Sequence, residues 1–254
     1  MAKVIAPFAI KGTLDDLNFV VTADGTNYVR MKGKTGITSE AFKNNPIFNP
    51  IREQGQEFGH CSKKSAVFRQ LASRFNRLAK DGSFAGRANK QLFEILEEDA
   101  TEPRGKRTLA NGLKTEDGKE ALLFFESNKL RPLRQVLKIK EACIPLQQTV
   151  ILTDFYANEH LDWPEEATQV HVAIATANWD CENDNFDSCY SEEIILDKTS
   201  EIQTLTLSTA KPTGNHLHLT FISINFAKKE KKKYKYLHRK YNTATLIAYT
   251  IPSE

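Results

Sequence analysis

The chain has 254 residues, 35 Lys and Arg against 32 Asp and Glu, 40% hydrophobic and 26% charged residues, and a formal net charge of +3. That composition is ordinary for globular proteins and excludes disorder as the main state. At about 150 residues per domain it predicts two domains, each long enough to bury a core.

No stretch reaches the roughly 18 uncharged apolar residues of a membrane span, so no span is expected. The opening MAKVIAPFAIKGTLDD has one early lysine and an apolar run broken by Pro7. It reads poorly as a secretory signal or transit peptide, and the expected location is the cytoplasm. The net charge conceals an asymmetry. Residues 1–150 hold 25 Lys and Arg against 17 Asp and Glu, a net of +8. Residues 151–254 hold 10 against 15, a net of −5, with eight of the ten bases between Lys228 and Lys240. Such halves favour head-to-tail association or a polyanion partner for the first half. The competing reading is a protein with unevenly solvated faces.

The first predicted element is a β-hairpin. Leu17, Phe19 and Val21 alternate with Asn18 and Thr22, Asp24-Gly25 is a favoured two-residue turn, and Asn27 to Lys32 is the return strand. A hairpin alone is marginal in water, so this one needs a covering surface. A polar connector follows at 32–36, then Pro46 and Pro50 bracket Ile47-Phe48. Beyond them the period becomes helical. Phe68, Leu71, Phe75 and Leu78 form one apolar stripe, and Lys63, Lys64, Arg69, Arg74, Arg77 and Lys80 occupy much of the remaining circumference. Asp81-Gly82 ends that helix. A second helix is predicted over 84–98. Pro103-Arg104-Gly105 breaks the pattern, and a third, buried helix is expected near 119–126. Residues 127–150 read as a linker turning into strand. Candidate strands follow at 150–155, 169–175, 193–196, 202–207, 216–226 and 243–249. Short strands separated by acidic or Gly/Pro-containing turns suggest a two-sheet sandwich.

The expected fold is therefore α+β: an N-terminal β-hairpin plus helices over residues 1–145, then an all-β sandwich-like (Ig-like) domain over residues 146–254. The layout carries Gly12-Thr13-Leu14, Asp24-Gly25, Arg30, Asn45-Pro46, Arg52-Glu53, Glu57-Phe58-Gly59, Ala79-Lys80-Asp81 and Pro103-Arg104-Gly105. In these residues it resembles a group of uncharacterised Bacteroidota proteins. It is also distantly similar to a domain-of-unknown-function family with an N-terminal hairpin, an Arg-bearing helix and a C-terminal β-sandwich. The resemblance covers roughly residues 10–130 and implies the architecture, not an activity.

Chemical motifs are sparse. The four cysteines, Cys61, Cys143, Cys181 and Cys189, include no CxxC pair. Cys181 and Cys189 flank an acidic loop, where they could pair or stand as free thiols. The loop itself, Asp180 to Asp187, offers oxygen ligands but lacks the EF-hand glycine and terminal acid, having Asn185 and Ser191 there. A solvated turn is the simpler reading. His216 and His218 share a strand face without a fixed acidic or thiol neighbour. Neither a GxSxG elbow nor a phosphate-binding glycine loop occurs, so no catalytic, metal or cofactor site is expected. The lysine run 228–236 reads as an exposed loop, or as a charge gatekeeper beside the apolar strand 217–226.

The leading expectation is a non-enzymatic structural or assembly subunit that self-associates as a filament, ring or particle component. The hairpin would carry the contact through Leu17, Phe19, Val21 and Tyr28, aided by charge-complementary faces. The alternative is a nucleic-acid-binding accessory protein that tracks phosphates with Lys63, Lys64, Arg69, Arg74 and Arg77.

Overall fold

A computed structural model describes residues 2–22, 24–33, 36–230 and 233–250. Ala23 in the predicted turn, Lys34 and Thr35 in the connector, and Lys231 and Lys232 in the lysine run lie outside the described residues. The protein is α+β, with N-terminal strands, then helices, then a β-sandwich-like region. It divides into two compact units, Met1–Asn49 and Pro50–Glu254.

The first unit holds strands β1 (Ala2–Lys3), β2 (Gly12–Leu14), β3 (Leu17–Val21) and β4 (Asn27–Met31), and helix α1 (Ser39–Asn44). The predicted hairpin is β3–β4, paired from Leu17↔Met31 to Val21↔Asn27. Its turn is longer than expected. The Thr22 and Thr26 backbones still bond across it, and only Gly25 of the Asp24-Gly25 pair has positive φ, at +81°. Asp24 instead serves as an acceptor, receiving the Thr26 amide at 3.2 Å and the Thr26 hydroxyl at 3.0 Å. The hairpin is also not alone: β1 and β2 flank it, giving the order β1-β4-β3-β2.

The second unit opens with helices α2 (Asn49–Phe68), α3 (Ser73–Ala79), α4 (Phe84–Glu97), α5 (Leu109–Gly112), α6 (Glu116–Leu122) and α7 (Leu133–Val136). The apolar stripe expected on one helix spans two, because 69–72 is a turn. Phe68, Leu71 and Phe75 are nonetheless all buried. The carbonyls freed by the break are taken by side chains: Asn76 Nδ2 donates to Arg69 O at 2.9 Å and Ser188 Oγ to Leu71 O at 2.8 Å. The helix predicted over 84–98 is α4. The one expected near 119–126 starts and ends earlier, as α6, since Thr115 caps it by accepting the Gly118 amide at 3.1 Å. Leu122 and Phe125 are buried as expected, whereas Phe124 is exposed.

The remaining elements are β5 (Ala142–Ile144), β6 (Thr149–Phe155), α8 (Ala157–His160), β7 (Gln169–Asp180), β8 (Asn185–Tyr190), β9 (Ile194–Asp197), β10 (Gln203–Ser208), β11 (Leu217–Glu230), β12 (Lys233–Tyr236) and β13 (Thr243–Thr250). The long pair β7–β11 is the spine of a six-stranded antiparallel sheet, with β12 and β13 on β11 and β8 and β9 on β7. A three-stranded sheet, β10-β6-β5, forms the second layer of the sandwich.

Both faces of the spine are apolar, as its continuous burial requires. Ala173, Ala175, Ala177 and Trp179 of β7 point with Leu217, Leu219 and Phe221 of β11 into a core shared with Phe68, Phe75, Leu92 and Ile95 of the helices. Val170, Val172 and Ile174 join Ile222, Ile224 and Phe226 in a second core with Val150, Leu152, Leu205 and Leu207 of the small sheet. The layers are thus helices, six strands, three strands. The boundary expected at 145/146 falls inside this unit, because the helices bury their stripes on the strands that follow. Close approach fixes the helix layer as well: a Cβ on Gly112 would overlap the Ile95 carbonyl oxygen.

Two loops of the sequence reading prove to be strands. The end of the expected acidic loop, Asn185 to Asp187, opens β8 (Asn185–Tyr190). The described residues of the lysine run pair as antiparallel strands, Lys228 facing Lys235 and Lys229 facing Tyr234.

Candidate functional site

Two surfaces carry most of the unspent chemistry. The first lies within the Met1–Asn49 unit. The register puts Leu14, Leu17, Phe19, Val21, Val29 and Met31 on one sheet face. None of these is buried, and Leu14 and Met31 are 64% and 68% exposed. Among the described residues of the unit, Asn27 alone is buried. Of the predicted contact residues, Leu17, Phe19 and Val21 share this face. Tyr28 does not: it pairs with Val20 and lies on the opposite face. The strand edges proposed for pairing with a second chain are partly occupied by β1 and β2, so the apolar face is the larger unpartnered feature.

The second surface is a cleft of about 880 Å³ in the Pro50–Glu254 unit. The predicted basic helix supplies only part of it. Lys63 is exposed and does not line the cleft. Lys64 is buried, with Nζ 2.9 Å from Asp184 Oδ1 and 3.1 Å from Glu182 O. Arg74 pairs with Glu193 at 2.8 Å and lies over the Tyr190 ring. These three therefore do not form one basic face with Arg69 and Arg77, because the turn at 69–72 and the neighbouring strands redistribute them. Arg69 and Arg77 do face the cleft, where they meet Lys80 and, from the turn after β12, Arg239 and Lys240. Among the described residues, none of these five cations has a carboxylate partner.

A set of buried asparagines holds the walls. Besides receiving Asn76, the α2–α3 turn is tied down through Ser127, whose hydroxyl donates to Asn76 Oδ1 at 2.6 Å. Asn128, fully buried, donates to Arg239 O at 3.0 Å and Asn242 O at 2.9 Å. Asn242, also fully buried, donates to Leu78 O at 2.9 Å and accepts the Phe226 amide at 2.9 Å. The backbones bearing Arg69 and Arg239 are fixed by these bonds. The cleft's one acid, Asp81, accepts from Ser83 N at 2.7 Å, Lys129 N at 2.8 Å and Arg87 Nη2 at 2.8 Å. Burial acts to raise its pKa, but these donors outweigh that, and the carboxyl stays below its usual range. Its charge is matched by Arg87.

The other singled-out residues have structural partners. The turn between β7 and β8 is closed by Asp180, which accepts from Asn183 Nδ2 at 2.8 Å and from the Glu182 and Asn183 amides. The Lys64 ammonium takes two of the loop's oxygens, Asp184 Oδ1 and the Glu182 carbonyl. Among the described residues no cluster of His, Cys, Asp and Glu is arranged for a metal. His218 bonds Asn178 at 2.9 Å, and His216 lies 3.8 Å from Asp180. All four cysteines are free; burial pushes the Cys61 and Cys181 thiols up to about 12.

Sequence reasoning missed one polar cluster. Glu193 accepts from Tyr236 at 2.8 Å, contacts His171 Nδ1 at 2.8 Å and pairs with Arg74, drawing α3, β7 and β12 together. Burial opposes ionisation of Glu193, yet His171, Tyr236 and Arg74 together hold its pKa low. Its members are far apart in the chain, so no spacing signals it.

No family model, curated protein or solved structure matches the chain. No helix among the described residues is long and apolar enough to cross a membrane.

Proposed function

We propose that the protein is a structural or assembly subunit that associates with further copies of itself, and that the Met1–Asn49 unit is its contact module. One observation carries the reading: this unit forms a four-stranded sheet in which no described apolar side chain is buried. A small sheet whose apolar face is only partly covered, with Phe19, Val21 and Val29 half-buried, does not bury enough surface to offset its ordering entropy. Contiguous apolar faces of this kind mark association sites.

The occupant is the same face of a second copy. The six apolar residues include no charge, and two such faces packed at about 10 Å make a sandwich core. The rim carries both signs, with Asp15, Asp16 and Lys32 at one end of the hairpin. Two copies can therefore meet about a two-fold axis without net like-charge repulsion.

The test is light scattering coupled to size-exclusion chromatography from about 1 to about 100 μM, the range in which an association of about −5 to −8 kcal/mol turns over. Wild type is expected to be oligomeric, and more so at high salt, since the contact is apolar. Phe19→Asp should shift it to monomer while the urea melt of the Pro50–Glu254 unit, read by the fluorescence of Trp163 and Trp179, stays unchanged. A wild-type monomer throughout, in low and high salt, overturns the proposal.

A further inference from the structure

We infer that the basic cleft of the Pro50–Glu254 unit binds a ligand presenting a run of phosphates, either a nucleic-acid backbone or a free polyphosphate chain. The argument begins with charge. Arg69, Arg77, Lys80, Arg239 and Lys240 line one concavity, and its single acid is already matched by Arg87. The whole chain carries only +3. The cleft is thus an electropositive site on a nearly neutral protein, and its concave, low-dielectric walls focus the field.

The cations are held there rather than gathered by chance. The chain brings them from the α2–α3 region and from the turn before β13, more than 150 residues apart in sequence. Asn76, Asn128 and Asn242 fix the backbones on either side through buried hydrogen bonds. Those backbones cannot retreat to relieve like-charge repulsion. An incoming polyanion relieves it, and the binding loses little entropy because the walls are already ordered. Arginine forks match phosphate oxygens two at a time, while the lysines contribute point charges.

The lining also bears on what is read. Phe84 is buried, and the His238 ring nitrogen Nδ1 is engaged by the Lys240 amide at 3.3 Å. Among the described residues His238 is the one exposed ring lining the cleft, too little to stack successive bases. Recognition therefore falls on the phosphates and is insensitive to base sequence. A single carboxylate or orthophosphate would neutralise too little of the site, which selects for several linked phosphates.

The experiment uses the full chain and fluorescence anisotropy with a labelled single-stranded oligodeoxynucleotide. Competitors are an unlabelled oligonucleotide of different sequence, inorganic polyphosphate and orthophosphate. Two variants, Arg77→Gln/Lys80→Gln and Arg239→Gln/Lys240→Gln, remove two cleft charges each. Lys63→Gln/Lys90→Gln removes two charges outside the cleft. All six side chains lie at the surface or partly so, and circular dichroism checks the fold.

The expected result is binding at about 50 mM salt, weakened at least tenfold by either cleft variant and by less than threefold in the control. The slope of log K against log salt should fall by about 1.4 for each cleft variant, two single-strand phosphate contacts being lost. Competition by polyphosphate at matched phosphate concentration assigns a free chain as a sufficient ligand. Competition by oligonucleotide alone assigns a nucleic acid. Orthophosphate should not compete in either case. Absence of binding at low salt, or equal losses in cleft and control variants, overturns the inference.

Discussion

Replacing Glu57 by Gln gives the sharpest test of how the helix layer is held. Glu57 is 1% exposed on α2 and accepts three N–H groups: Arg107 Nε and Nη2 at 2.8 Å each, and the Gly105 amide at 2.7 Å. The Arg107 hydrogen bonds pull its pKa below the usual glutamate range, and the Gly105 amide adds to this against the effect of burial. Glutamine keeps the shape but turns one acceptor into a donor facing the guanidinium, and it removes the negative charge. The Arg107 side chain, 17% exposed, would retain one neutral acceptor on the glutamine, the Glu97 carbonyl at 3.2 Å and the Glu97 carboxylate at 3.9 Å. Breaking a buried pair on one side costs about 3–5 kcal/mol, and partial access of water to Arg107 places this case near the lower end, about 3 kcal/mol. For a unit of this size that lowers Tm by roughly 6–12 °C.

The sign of the pH dependence follows. A group whose folded pKa is depressed contributes stability above its unfolded pKa, near 4.3, and loses it as pH falls through the folded value. Urea melts should therefore show wild type converging on Glu57→Gln below about pH 4, with the full gap at pH 7. The double variant Glu57→Leu/Arg107→Met removes both charges and should recover at least half of the loss. A loss under about 1 kcal/mol at pH 7, or a gap independent of pH, would refute the reasoning.

Two further outcomes test other parts of the structure. Leu92→Ala empties a fully buried position in the core between α4 and the six-stranded sheet and should cost about 2–5 kcal/mol in urea melts, whereas exposed Lys90→Ala should stay within about 0.5 kcal/mol. Thiol labelling at pH 8 should leave Cys61 and Cys181 unmodified in the native protein and reach all four cysteines in denaturant. Burial raises those two pKa values to about 12, so only ~1 thiol in 10,000 is ionised at that pH.

Local pattern was enough for the elements whose side chains declare their own environment. The period of Leu92, Ile95 and Leu96 predicts α4, and the alternation in Leu205-Thr206-Leu207 and Leu217 to Phe221 predicts β10 and β11, because the apolar positions of each are buried on a common face, although β11 is then covered on its other face too. The α+β class and the order of its parts follow from those signals. Strands β8 and β12 were not legible, since Asn185–Tyr190 and Lys233–Tyr236 are polar or basic and owe their extended form to backbone pairing with β7 and β11. Nor did charge counting separate the lysine that is buried on Asp184 from the arginines left open. Composition carries the number of cations, while their distances, partners and burial depend on which distant segments meet. The cleft is the clearest case. Its cations come from both ends of the second unit and are held by asparagines that, in the sequence, look like ordinary loop residues. Hydrophobic periodicity is a local property of a chain, but a site assembled from separate segments exists only once packing brings those segments together.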